Sequence, residues 1–156
     1  MARAMTLEQY LDSHHVPYEV VLHPRTPTSL KAAEAAEIEA GRLAKGVLLE
    51  DDRGYMMAVL PASHHLELRR LQQAVGRKLK MATEDEISHI FKDCDPGAIP
   101  PLGPAYGVET VLDDSLSAQA DLFLEAGDHE RLIHLKTLDF MALMPDARHG
   151  HFTTPA

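Results

Sequence analysis

Tryptophan is absent from this 156-residue chain, cysteine occurs once, and only four tyrosines and four phenylalanines are present. A core must therefore be built from Leu, Val, Ile, Ala and Met, and no internal disulfide can staple it. One cysteine fits a reducing compartment, and the cytoplasm is the expected location. No apolar run reaches membrane-spanning length, and Met1-Ala2-Arg3-Ala4-Met5 leads into a polar helical pattern rather than a signal peptide. A Gly-x-Ser-x-Gly elbow, a P-loop and a dinucleotide fingerprint are all missing, which argues against nucleotide-triphosphate chemistry. Positive charge is also scarce. Fifteen Lys and Arg against 24 Asp and Glu give a formal charge of −9, which argues against non-specific binding to DNA or other long nucleic acid.

What is present has the length and the 45% hydrophobic content of one soluble globular domain. Leu7, Tyr10 and Leu11 predict a short amphipathic helix over 6–14 with Thr6 as its cap. A strand follows over 16–22, with Pro17 near its start. Thr28 or Ser29 caps an alanine-rich helix over 30–40 that Gly41 would close. Residues 45–50 and 55–61 are apolar runs joined by Asp51-Asp52-Arg53-Gly54, a strong hairpin signal. Helical spacing returns over 66–75 and ends at Gly76. Thr83-Glu84-Asp85-Glu86 is a capping box opening a helix to about Phe91. Strands are expected near 78–82, 108–112, 120–125 and 132–135, with a last helix over 137–143 stopping before Pro145. The expected architecture is α/β (α+β): a mixed, largely antiparallel, curved sheet with short helices packed outside. A single domain spans 1–156, its core at about 6–143 and its end, 146–156, a loose tail.

The chemistry-bearing positions are few. Lys45 stands at the mouth of an apolar strand, where it is either a snorkelling edge residue or a cation aimed into a cleft. Asp95-Pro96-Gly97-Ala98-Ile99-Pro100-Pro101 is a stiff loop that fixes backbone groups in space. Arg69, Arg70, Arg77, Lys78 and Lys80 form a basic cluster in sequence, or else a solvated helix face followed by a turn. Ten histidines include the pairs His14-His15 and His64-His65 and the tail motif His149-Gly150-His151, none with metal-ligand spacing, so neither a metal nor another cofactor is expected. Cys94 lies between Asp93 and Asp95, whose charges raise a thiol pKa, and reads as a packing residue.

Several segments in this order resemble the YbaK family, which includes the editing insertion domain of bacterial prolyl-tRNA synthetases. They are Ala44-Lys45 entering Val47-Leu48-Leu49, the return as Ala58-Val59-Leu60-Pro61, Leu66-Glu67-Leu68, and the strand over 79–82 before Thr83-Glu84-Asp85-Glu86. The Gly-x-x-x-Pro loop of that family matches Gly97 to Pro101, its Asp-x-Ser-Leu pattern matches Asp113-Asp114-Ser115-Leu116, and its Ala-Gly strand end matches Ala126-Gly127. The position of Pro100 is commonly small and polar in relatives, so the pocket wall here departs from theirs. The resemblance implies a compact domain with a barrel-like mixed sheet, and deacylation of mischarged aminoacyl-tRNA in trans. It implies that Lys45 is required and that Gly97, Ala98, Ile99, Pro100, Pro101, Asp113 and Gly127 surround the amino acid. Arg69, Arg70, Arg77, Lys78 and Lys80 are the expected tRNA contacts. The implied partners are the acceptor end of mischarged tRNA and an aminoacyl-tRNA synthetase, without membrane. Two other readings stay open: a catalytically weak module of the same fold that binds the acceptor end, or a regulatory protein whose partner is a synthetase.

Overall fold

The computed structural model describes residues 5–155. In chain order its elements are α1 (Met5–Ser13), β1 (Glu19–Leu22), α2 (Ser29–Ala35), β2 (Leu43–Asp51), β3 (Gly54–Pro61), β4 (His64–Leu66), α3 (Leu68–Val75) and β5 (Lys80–Met81). They continue with α4 (Glu84–Ile90), β6 (Glu109–Asp113), β7 (Asp121–Glu125), β8 (Arg131–Lys136), α5 (Thr137–Ala142), β9 (Arg148–Gly150) and β10 (Thr153–Pro155).

The main sheet has the order β1-β8-β7-β2-β3-β6-β9, with β5 pairing β2 off this path. The pairs β1/β8, β7/β8, β2/β3 and β2/β5 are antiparallel, whereas β2/β7, β3/β6 and β6/β9 are parallel. A second, two-stranded sheet joins β10 to β4. The β2–β3 hairpin turns at Asp52-Arg53 between Asp51 and Gly54. Gly54 supplies the positive φ of 130° that this tight turn needs, and Asp51 Oδ1 accepts the Arg53 N–H.

Both faces of the sheet are covered, so its central strands read as continuous apolar runs while still alternating in space. Ala44, Leu48, Met57, Val59, Leu112, Leu122 and Leu124 point to one face, where they meet Leu7 and Leu11 of α1 and Phe140 of α5. Leu49, Met56, Ala58 and Val111 point to the other face, under Leu71 and Val75 of α3. Leu43, Phe123 and Leu132 share that second face under Ala32 and Ala33 of α2.

Four expectations are corrected. The alanine-rich helix ends at Ala35, and Gly41 falls in a separate 3-10 turn at Ala40–Arg42, because Glu37 takes a left-handed φ of 59° that breaks the helix. Thr6 lies within α1 and its N–H donates to Asp93 Oδ2, so it is not the cap. The segment over 66–75 begins as the end of β4, since Leu66 pairs with Thr153 before α3 starts. The C-terminal segment is not loose. Phe152 is fully buried, its N–H donates to Asp113 Oδ1, and Thr153 Oγ1 donates to Asp113 Oδ2. β9 and β10 then hold the segment to β6 and β4. One phenylalanine among short polar residues gives no periodic signal, so only its long-range partners make this segment ordered.

Candidate functional site

Strand β2 positions the site by losing its neighbour on one edge. β7 meets it at Leu43 and Ala44, and β5 meets it at Leu49 and Glu50. Between those pairings a cavity of about 210 Å³ opens, lined by Lys45, Gly46, Val47 and Leu48 of β2. Ser29 at the start of α2, Met81 of β5, Glu84 and Ile87 of α4, and Gly97 and Ile99 of the stiff loop complete the wall. Lys45 and Gly97, some fifty residues apart in sequence, therefore share one pocket.

Lys45 is half-buried, and the burial lowers its pKa from the usual lysine value. Among the described residues it has no ion-paired carboxylate, and Glu84 is the one acidic residue in the wall. An ammonium that is partly desolvated and unpaired has hydrogen-bonding capacity left for a ligand oxygen.

The stiff loop is clamped from beneath. The Asp95 N–H donates to the Gly127 carbonyl at 2.7 Å, and Arg25 bridges the Asp128 carbonyl and the Asp95 carboxylate. The His129 ring is hydrogen-bonded through Nε2 to the Pro96 carbonyl. Gly97 has φ of 80°, and an added Cβ would lie 3.3 Å from His129 Cε1. Ala98, Pro100 and Pro101 are buried as the foundation of the loop, leaving Gly97 and Ile99 to face the cavity.

Asp113 and Gly127 do not line this pocket. Asp113 is fully buried and holds Ser115 and the C-terminal segment. Several hydrogen bonds to the ionised form outweigh its desolvation, and its pKa is lowered on balance. Gly127 acts at one remove, through the carbonyl that anchors Asp95. The basic residues also separate. Arg69, Arg70 and Lys78 are exposed on and just after α3, and Lys80 lies 3.7 Å from Glu50. The Arg77 side chain is only 8% exposed, locked to Asp51 at 2.6 and 2.7 Å and to Glu109 at 3.1 Å. Tertiary folding instead adds Arg53 and Arg148 beside it, around a polar cavity of about 180 Å³. Cys94 touches Tyr106 and Asp93, and burial pushes its thiol up to about 12, where it is inert as a nucleophile.

Residues 23–143 match the aminoacyl-tRNA editing domain family. The chain belongs to that family. A proline–tRNA ligase of Trichlorobacter lovleyi is 29% identical to it over 111 residues, which are 68% of this chain and 19% of the ligase. The chain thus spans about a fifth of that curated relative. A solved structure of a candidate trans-editing enzyme for prolyl-tRNA synthetase has a TM-score of 0.82 at 23% identity, covering 97% of this chain and 96% of that one. A candidate signal-transduction protein from Marinobacter aquaeolei has a TM-score of 0.78 at 24% identity, covering 96% of this chain and 30% of that one. These two likenesses establish the fold.

Within the editing domain, sequence reasoning passed over Ser29, Gly46, Glu84 and His129. His129 stands two residues after the Ala126-Gly127 pair, and that position was the available signal. Ser29 and Glu84 carried helix-start signals, which say nothing about where a helix start points.

Proposed function

We propose that this editing domain hydrolyses, in trans, the ester that joins a wrong amino acid to the terminal adenosine of a tRNA. The observation that carries the reading is the unpaired, half-buried Lys45 in a cavity walled by the rigid loop at Gly97 and Ile99. The family match supports it.

An aminoacyl ester is already activated, so orientation and charge stabilisation do more than a strong nucleophile would. Water adds to the carbonyl carbon, the bond to the ribose oxygen breaks, and that oxygen takes a proton. The amino acid departs as a carboxylate and one further proton goes to solvent. In this reading Lys45 orients the terminal nucleotide or faces the negative charge that grows during addition. The apolar walls at Ile87 and Ile99 receive the amino-acid side chain. A cavity of about 210 Å³ favours small side chains, and each extra methylene changes discrimination by about 1–3 kcal/mol. Gly127 supports the pocket through the carbonyl that anchors Asp95 at the base of the loop. The partners in this reading are the acceptor end of tRNA and a synthetase, in the cytoplasm.

A panel of tRNAs carrying alanyl, seryl, threonyl and cysteinyl esters tests the reading by release of free amino acid. Rapid release from at least one is expected. Acceptor-end binding with no release from any of them would make the protein a binding module instead.

A further inference from the structure

The alternation of β2 decides which edge each of its peptide groups faces. The Leu43 carbonyl accepts the Ala62 N–H, and β2 pairs with β3 from Ala44 to Asp51. In an antiparallel ladder alternate residues exchange both hydrogen bonds with the partner strand. Lys45, Val47, Leu49 and Asp51, in phase with Leu43, therefore direct their N–H and C=O groups to β3. The residues between them face the opposite edge, and the Leu48 carbonyl accepting the Ala82 N–H at 3.0 Å fixes that phase. On that edge β7 meets Ala44 and β5 meets Glu50, while Gly46 lies between the two pairings. Gly46 lines the same cavity as Lys45 and Gly97. Its lack of a side chain lets the stiff loop close onto β2, since a Cβ there would lie 3.3 Å from Pro101 Cα and 2.9 Å from Met57 Sδ.

We propose that the Gly46 peptide groups form a recognition edge for the α-aminoacyl ester, with the N–H donating to the ester carbonyl and the C=O accepting from the α-ammonium. An aminoacyl group carries its donor and acceptor on the N–Cα–C=O frame of a strand residue, so it completes the ladder that β2 leaves open there. The exchange reads the α-amino-acid frame without reading the side chain, which is left to Ile87 and Ile99. It also places a fixed donor on the oxygen where negative charge develops as water adds. This inference rests on the pocket being the aminoacyl-ester site.

The first test follows the Gly46 amide by NMR with a non-hydrolysable probe, the alanyl amide of 3′-amino-3′-deoxyadenosine, against adenosine alone. A Gly46 shift with slowed hydrogen exchange, given by the alanyl probe and not by adenosine, is the expected result. Shifts at Lys45 and Gly97 that leave Gly46 unmoved would overturn the recognition edge while keeping the pocket. No shift at any of the three would overturn the pocket reading and the proposal with it. The second test replaces Gly46 by glycolic acid, which deletes this N–H and adds no side chain. A fall of about 100-fold in kcat/KM, as for loss of one oxyanion donor, is expected with the fold retained by circular dichroism. Unchanged kcat/KM in the folded variant would refute it.

Discussion

Each end of strand β2 has a cation beside it or on it in an enclosed setting, Arg77 against Asp51 and Lys45 on the strand itself, and the two are used in opposite ways. At one end Arg77 is gripped through Nε and Nη2 by Asp51 and through Nη1 by Glu109, and Nη2 also reaches the Gly54 carbonyl. These acceptors raise its pKa against the desolvation that lowers it. About 20 Å away along the strand, Lys45 has burial lowering its pKa and no carboxylate offsetting it. A cation with most of its donors occupied by acceptors of the fold holds that fold together. One left with free donors in a cavity costs some stability and keeps its capacity for a ligand. The two cations differ most in the neighbours they meet: carboxylates surround Arg77, and none is ion-paired with Lys45 among the described residues.

The largest effect that would sharpen this contrast is at Lys45. Lys45→Ala should lower deacylation by about 100-fold, the scale of one lost charge-stabilising donor. Its melting temperature should stay level or rise slightly, because a desolvated ammonium is removed. Near-normal single-turnover rates in this variant would end the assignment of Lys45.

Arg77→Ala should do the reverse, since it leaves Asp51 and Glu109 without their guanidinium. A melting temperature lower by several degrees is expected, with turnover per folded molecule maintained. The Arg77 guanidinium holds the Asp51 carboxyl well below the usual carboxylate range. That part of the stability is present at neutral pH and is lost as pH falls through the lowered value. If Arg77→Ala melted like the parent at neutral pH, the pair would not be structural.

Glu125 extends the comparison to a buried anion. It is 1% exposed, neither carboxylate oxygen has a hydrogen-bond partner among the described residues, and burial, with the Asp128 charge adding to it, pushes its pKa up to about 7. Between the ordinary glutamate value and about 7 the native state binds the extra proton, so stability falls as pH rises through that window. The shift corresponds to a loss on the order of 3 kcal/mol by pH 8. Thermal melts from pH 5 to 8 should show the decline, and Glu125→Gln should flatten it. A variant that keeps the full decline would assign the titration to another group.

Gly97→Ala introduces a methyl at a φ of 80° and 3.3 Å from the His129 ring. A stability loss of about 1 kcal/mol is expected from the backbone conformation, together with a lower turnover number. Lost stability with unaltered turnover would reduce the loop to a structural role. The smallest effect is expected at the exposed pair on α3: Arg69→Glu with Arg70→Glu should raise KM severalfold at constant kcat. Each lost single-strand phosphate contact should flatten the salt dependence by about 0.7 in log–log slope. An unchanged KM would move the tRNA footprint off α3.

The apolar runs over 45–50 and 55–61 and the Asp51-Asp52-Arg53-Gly54 turn signal between them dictated the β2–β3 hairpin, and the capping box dictated the start of α4. The helix stop at Gly76 followed equally directly from its left-handed φ of 68°. These are local decisions, made within a few residues by sterics and nearby hydrogen bonds. The order of motifs from Lys45 to Gly127 was likewise legible as a family pattern. The tertiary structure alone decided that Asp113 anchors Phe152 and Thr153, and that Arg77 is sequestered by Asp51 and Glu109. It alone decided that β2 lies between β7 and β5 with a gap at Gly46. Each depends on residues dozens of positions apart, and no sequence period encodes which strands meet or where a ladder is left open. The residue types in the pocket were set by the chain, and their convergence by strand order.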